Sequence, residues 1–164
     1  MGLLSFLKKQ KLLELQRLVV TNAPHNKLVL TEEQLLIHAN NMIQRQVQII
    51  DDSKRLIDNT VNPEVFFKRY DLLKEKAEYL IQFTPYIKFK GIKPKQMLTE
   101  LNLNEQAAIS KFLQRYYVSV VQKTKTLKTE KAKKNQFTKY YDSLQPYYDR
   151  MNEENIHYIE ERKP

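Results

Sequence analysis

The chain has 164 residues, of which 41% are hydrophobic and 29% are charged, and this balance predicts one globular domain of ordinary size. It contains no cysteine and only two glycines, which excludes disulfides, thiolate metal sites and glycine-rich phosphate loops. The formal net charge of +9 favours acidic partners such as nucleic acid, anionic lipid or an acidic protein surface, without choosing among them.

Residues 1–20 predict an amphipathic helix, because six apolar side chains share a broad face. Lys8, Lys11 and Glu14 intrude on that face, which makes peripheral membrane contact by residues 3–20 unfavourable. We therefore expect this helix to pack onto the rest of the protein or onto a partner. Residues 21–30 contain Pro24 and predict a linker that lets the helix move independently.

A long helix is predicted from Glu32 to about Val61. Thr31 and Gln34 form a capping box at its start. Apolar pairs then recur every seven residues, which is typical of a helix packed along its length. These pairs are Leu35-Leu36, Met42-Ile43, Ile49-Ile50 and Leu56-Ile57.

The rest of the chain also predicts helices. Asn62, with Pro63 after it, forms the start of the next helix, and Thr84-Pro85 is expected to end that helix. A further helix is expected to follow a capping box of Asn102 and Glu105. Asn152 is a predicted cap for the last helix. The sequence thus predicts an all-α fold, a helical bundle of five to six helices with one long helix, over residues 31–162.

Two segments, residues 59–73 (NTVNPEVFFKRYDLL) and residues 147–155 (YYDRMNEEN), carry a resemblance. They resemble recurring segments of uncharacterised helical domains in low-GC Gram-positive bacteria and their phages. The resemblance implies a helical fold and a bacterial or phage cytoplasmic setting. It implies no activity and no site residues, since such domains have no known function.

Catalytic and metal-binding patterns are weak. Glu154 and His157 have the Glu-x-x-His spacing of di-iron bundles, but such sites need a second copy and two further glutamates. His25 and His38 have no second histidine at ligand spacing. No serine stands in a recognisable nucleophile motif. No apolar run is long enough to span a bilayer. We therefore expect a cytoplasmic protein that is not an enzyme and takes no metal and no cofactor.

The strongest functional signal is a run of seven lysines against one acid, Glu130. Such a run can bind phosphates, or it can be an ordinary solvated helix face. Arginine, which reads base edges and grips phosphate bidentately, is absent from it. The candidate nucleic-acid-binding residues are Lys123, Lys125, Lys128, Lys131, Lys133, Lys134 and Lys139. Lys88, Lys90, Lys93 and Lys95 form a second cluster.

Tyrosines come in three pairs, at positions 116–117, 140–141 and 147–148. Exposed rings could stack on bases, but we expect one ring of each pair in the core and the other at its rim. The leading expectation is a non-enzymatic accessory protein that contacts another macromolecule, with a protein as partner. The alternative is a nucleic-acid binder without sequence preference that uses the lysine run. Partner identity and homo-oligomer formation stay open.

Overall fold

The computed structural model describes residues 3–22 and 31–164, and every regular element in these ranges is helical. The α-helices are α1 (Leu3–Asn22), α2 (Glu32–Asn59), α3 (Pro63–Ile81), α4 (Pro94–Leu103), α5 (Glu105–Thr124), α6 (Glu130–Leu144) and α7 (Glu153–Glu160). A 3-10 helix (Gln145–Arg150) joins α6 to α7. The all-α class is confirmed.

The described ranges hold seven α-helices, one more than the predicted five to six, and six of them, α2 to α7, lie within the predicted bundle of residues 31–162. Some of these helices are short or barely separated from their neighbours. Asn104 alone separates α4 from α5, and α7 has only eight residues. None of the described helices combines the length and the apolar composition needed to cross a membrane.

The long helix α2 starts as predicted. The Thr31 hydroxyl accepts a hydrogen bond from the Gln34 amide at 3.2 Å, and the Gln34 side chain accepts one from the Thr31 amide at 3.1 Å. Its 28 residues span about 42 Å. One residue of each predicted apolar pair lies in the core, and these four are Leu35, Ile43, Ile50 and Ile57.

The core lies between α2, α3 and α5. Phe66 of α3 stacks on Phe112 of α5 with ring centroids 4.5 Å apart. Leu73 and Leu80 of α3 are buried in the same core as Ile109 of α5. Such aromatic and aliphatic burial supplies the main driving force for folding.

The N-terminal helix α1 packs on α2. Leu15 and Val19 are buried in the common core, and Glu14 accepts a hydrogen bond at 2.9 Å from the Tyr86 hydroxyl. This matches the expected packing of the helix onto the rest of the protein. Residues 23–30, which hold most of the predicted linker and His25, lie outside the described residues.

Two predicted helix boundaries are wrong. Helix α3 ends at Ile81, three residues before Thr84, because the chain turns there to bury Phe83. Asn102 lies inside α4 and is no cap, because α4 continues to Leu103 and α5 begins only after Asn104. Two predicted caps are confirmed: Asn62 accepts from the Val65 amide at 3.3 Å, and Asn152 accepts from the Asn155 amide at 2.9 Å.

Candidate nucleic-acid interface

The seven predicted lysines gather around the end of the hairpin formed by α5 and α6. Lys123 lies in the last turn of α5, and Lys125 and Lys128 lie in the connection between the helices. Lys131, Lys133 and Lys134 lie in the first two turns of α6, and Lys139 follows further along the same helix. We call these seven residues the basic hairpin end.

The connection itself is held by short-range hydrogen bonds. The Thr124 hydroxyl donates to the Val121 carbonyl at 2.7 Å, and the Thr129 hydroxyl accepts from the Ala132 amide at 3.1 Å. The second of these caps the N-terminus of α6. The turn is thus fixed by backbone-directed contacts, and its lysine side chains are left for solvent.

Six of the seven lysines form no ion pair within the described residues. All six are exposed. Lys133 is half-buried, and its Nζ atom lies 3.4 Å from the carboxylate of Glu130, whose side chain is 93% exposed. A pair with one partner so exposed contributes little to stability. The six unpaired lysines therefore concentrate positive charge at one end of the hairpin.

Two of these lysines, Lys123 and Lys139, line a cavity of about 480 Å³ between α5, α6 and the start of α3. The Ser143 hydroxyl shares a hydrogen bond of 2.9 Å with the Tyr116 hydroxyl on its wall. Ser119 also lines the cavity, and Glu64 is the one carboxylate among its described lining residues. Two ammonium groups near hydroxyl donors can bind an anionic group such as a phosphate.

The paired tyrosines are not available for base stacking. All six are buried or half-buried, whereas six of the seven lysines are exposed. Tyr140 is buried, and this burial raises the pKa of its phenol. Tyr116 and Tyr117 both contact the Tyr140 ring edge-on, with centroids 4.7 Å and 5.5 Å away.

The remaining members of these pairs are held by Glu160 of α7 and by an aromatic ring of α3. Tyr141 and Tyr148 both donate to the Glu160 carboxylate, and burial together with this contact raises the pKa of Tyr148. Tyr147 stacks on Phe67 at 4.3 Å. The expected split into one core ring and one rim ring holds for Tyr140 and Tyr141, whereas both members of the other two pairs are half-buried.

Within the described residues, the acids of α7 and the following Glu161 form no ion pair with the basic hairpin end. Glu160 accepts from the two tyrosines, and Glu161 pairs with His157 at 2.9 Å and with Arg162 at 3.7 Å. His157 thus contacts Glu161, four residues away at the C-terminal end of α7. The described residues contain no group of three or more His, Asp or Glu placed to hold a metal ion.

The cavity beside Lys123 and Lys139 could not be read from the sequence. It joins residues of α3, α5 and α6 that lie up to 80 positions apart, from Pro63 to Ser143. The lysine run was visible as composition, whereas Ser119, Gln136 and Ser143 carry no local signal. These three residues come together only through the packing of α5 against α6. The periodicity of apolar residues in the sequence does not specify that packing.

Comparisons with known proteins give no relative from which a function could be taken. No family model, no curated protein and no solved structure matches this chain. The resemblance of residues 59–73 and 147–155 to helical domains of Gram-positive bacteria and their phages stays a prediction.

Proposed function

We propose that this chain is a non-enzymatic binding protein and that its basic hairpin end binds the phosphate backbone of nucleic acid. The observation that carries the proposal is the set of six exposed lysines that form no ion pair within the described residues. A polyanion that neutralises such charges releases condensed counterions, which drives association.

The chemistry of the surface favours binding without sequence preference. Lysine is a point charge on a flexible stem, whereas arginine presents a planar fork of donors that suits bidentate recognition of guanine or phosphate. The nearby tyrosine side chains pack against Phe67 and Tyr140 or bind Glu160. They therefore leave little ring surface on which a base could stack. Contacts to phosphates alone fix position and carry no sequence information.

Two other macromolecules fit this surface less well. A protein interface needs an apolar centre, and membrane association needs apolar side chains that insert between lipids. Residues 123–139 expose no large apolar side chain. Positive charge without such groups suits a hydrated phosphate backbone better than a protein or a bilayer.

The test is fluorescence anisotropy of labelled single-stranded and double-stranded DNA and RNA across a salt series. We expect the wild-type affinity to fall log-linearly with salt. The triple variant Lys128→Glu, Lys131→Glu and Lys134→Glu should weaken binding to all sequences alike. If all three lysines contact phosphates of a duplex, the log-log salt slope should flatten by roughly 2 to 3.

A matched control reverses three exposed lysines elsewhere, Lys9, Lys11 and Lys68. This control changes the net charge by the same amount and should retain most of the affinity. An equal loss in both variants would show that only net charge matters. The absence of binding at about 50 mM salt with micromolar protein would eliminate the proposal.

A further inference from the structure

A second surface lies along α2, where the connection between α3 and α4 crosses it. Two adjoining cavities of about 490 Å³ and 330 Å³ share Phe89 and Ile92 as lining residues. Along α2, the lining residues run from Asn40 to Lys54, which corresponds to about 21 Å of helix. We call these two cavities together the loop groove.

The walls of the loop groove are apolar in part, with Asn40, Gln44 and Gln96 as polar lining residues beside the apolar ones. Val47, Ile87, Phe89, Ile92 and Met97 line it and at the same time pack against the hydrophobic core. All five are half-buried. Each therefore keeps one side in the core and leaves another side open to the groove, which is the arrangement of a preformed apolar binding surface.

The rim of the loop groove is basic. Lys54, Lys88, Lys90 and Lys93 line it, all four are exposed, and none forms an ion pair within the described residues. Glu100 is the one acid among the described lining residues, and it accepts a hydrogen bond from Gln96 at 2.9 Å.

Apolar and basic residues alternate along the connection between α3 and α4, and this alternation produces the apolar wall and the basic rim. Ile87 and Phe89 face the groove, Lys88 and Lys90 face solvent, and Gly91 has a φ of +75° at the bend that follows. A residue with a side chain rarely adopts such a backbone conformation, so glycine is needed there. The turn at Gly91 brings Ile92 back to the same apolar wall as Phe89.

We propose that the loop groove binds an acidic amphipathic helix of a partner protein. Its apolar side would lie against the half-buried walls, and its carboxylates would meet the four rim lysines. The 21 Å length suits about 14 residues of helix, with apolar residues at three- and four-residue spacing. The inference is independent of the proposed nucleic-acid function, because it uses other residues and another ligand chemistry.

Charge and shape favour this occupant over the others. A second copy of this basic chain would bring like charges to the rim. A bilayer requires protruding apolar side chains, whereas those of the groove are recessed and half-buried. A phosphate backbone is charged and hydrated, so contact with an apolar wall would not stabilise it. An acidic segment with an apolar side satisfies both the wall and the rim.

The experiment uses the full chain and a labelled 14-residue helical peptide with leucines on one face and glutamates on the other. A peptide in which lysines replace the glutamates is the charge control. We expect the acidic peptide to bind at least about tenfold more tightly than the basic one. In a nitrogen-15 correlation spectrum, the acidic peptide should shift the Gly91 amide resonance.

The discriminating variant is Lys88→Glu with Lys90→Glu, whose positions are exposed, so the fold should survive. It should weaken peptide binding about tenfold, whereas the matched reversal of Lys128 and Lys131 should change it by less than about twofold. The nucleic-acid affinity should show the opposite pattern, so the two proposals can fail separately.

Three results would overturn the inference. Equal affinity for the acidic and basic peptides would show that the rim lysines do not contribute to binding. Binding of phosphatidylserine vesicles that depends on Lys88 and Lys90, without peptide binding, would assign the surface to a membrane. Self-association that the Lys88 and Lys90 reversal alters would assign it to a second copy of the chain.

Discussion

The guanidinium of Arg150 grips the carboxylate of Asp71 through two hydrogen bonds, at 3.0 Å and 2.8 Å. Its Nη2 atom also donates to Glu105 at 2.7 Å. Burial opposes the charge, but the contacts with Asp71 and Glu105 outweigh it and raise the pKa of Arg150. One side chain thus joins the 3-10 helix to both α3 and α5.

This contact unites the two segments that carried the resemblance. Residues 59–73 supply Asp71 and Phe67, and residues 147–155 supply Arg150 and Tyr147. The Arg150 guanidinium lies 5.4 Å from the centroid of the Phe67 ring, which stacks on Tyr147. The two segments therefore form one structural unit in which ion pairing and aromatic stacking support each other.

Replacing Arg150 by alanine should destabilise the protein by about 2 kcal/mol, because Glu105 loses its closest partner and, among the described residues, keeps Lys74 alone as an ionic partner. The Asp52–Arg55 pair is the control, since its side chains are 56% and 72% exposed. Arg55→Ala should change the free energy of unfolding only slightly. Urea denaturation of both variants measures the contrast, and equal effects would contradict the assigned role of Arg150.

The placement of α2 in the core can be tested with an unpaired charge. Ile50 is fully buried, and an aspartate there would lose the hydration of its charge in an apolar core. Ile50→Asp should therefore unfold the protein or destabilise it severely. Ile37 lies on the same helix but is 53% exposed, so Ile37→Asp should be tolerated. Circular dichroism with thermal unfolding distinguishes these outcomes, and wild-type stability of Ile50→Asp would refute the placement.

Local patterns in the sequence predicted α2 well because its start and its core face follow from neighbouring residues. The Thr31–Gln34 capping box and the Asn62 cap depend on contacts three residues apart. The wrong prediction at Asn102 shows the limit of this reasoning, since α4 continues past that residue and the Glu105 side chain pairs with Arg150, 45 positions away. The same limit applies to the site, where the lysine run was evident but the cavity beside Lys123 and Lys139 depends on tertiary packing.

Tyr70 should make the stability of the protein sensitive to alkaline pH. Its hydroxyl donates to the Leu101 carbonyl, and burial, reinforced by Glu105, raises its pKa from 10.0 to about 12. A raised folded-state pKa gives stability that is complete below pH 10 and is lost as pH rises to about 12, because the unfolded tyrosine ionises first. This loss can reach about 2 to 3 kcal/mol.

The comparison with Tyr70→Phe isolates this effect. At pH 8 the variant should be less stable than the wild type by about 1 kcal/mol, since the Leu101 carbonyl loses its donor. Near pH 11 the order should reverse, because phenylalanine has no proton to lose. Urea denaturation at pH values between 8 and 11 measures the difference. A difference that stays constant over this interval would mean that Tyr70 ionises alike in both states.

The unpaired lysines of the basic hairpin end should contribute nothing to the stability of the fold. Replacing Lys128, Lys131 and Lys134 by glutamine removes mutual repulsion without breaking an ion pair within the described residues. The variant should therefore be at least as stable as the wild type in about 20 mM salt, and any gain should fade near 1 M salt as screening increases.

Lys74 provides the contrast, because its Nζ atom lies 3.3 Å from Glu105 and both side chains are less than a quarter exposed. Lys74→Gln should cost about 1 kcal/mol in the same urea titration. Stability lost from the lysine triple as well would show that these charges support the fold. The combined result of interest is a glutamine triple as stable as the wild type and a glutamate triple that binds nucleic acid more weakly. It would show that these lysines contribute to ligand binding and not to the stability of the fold.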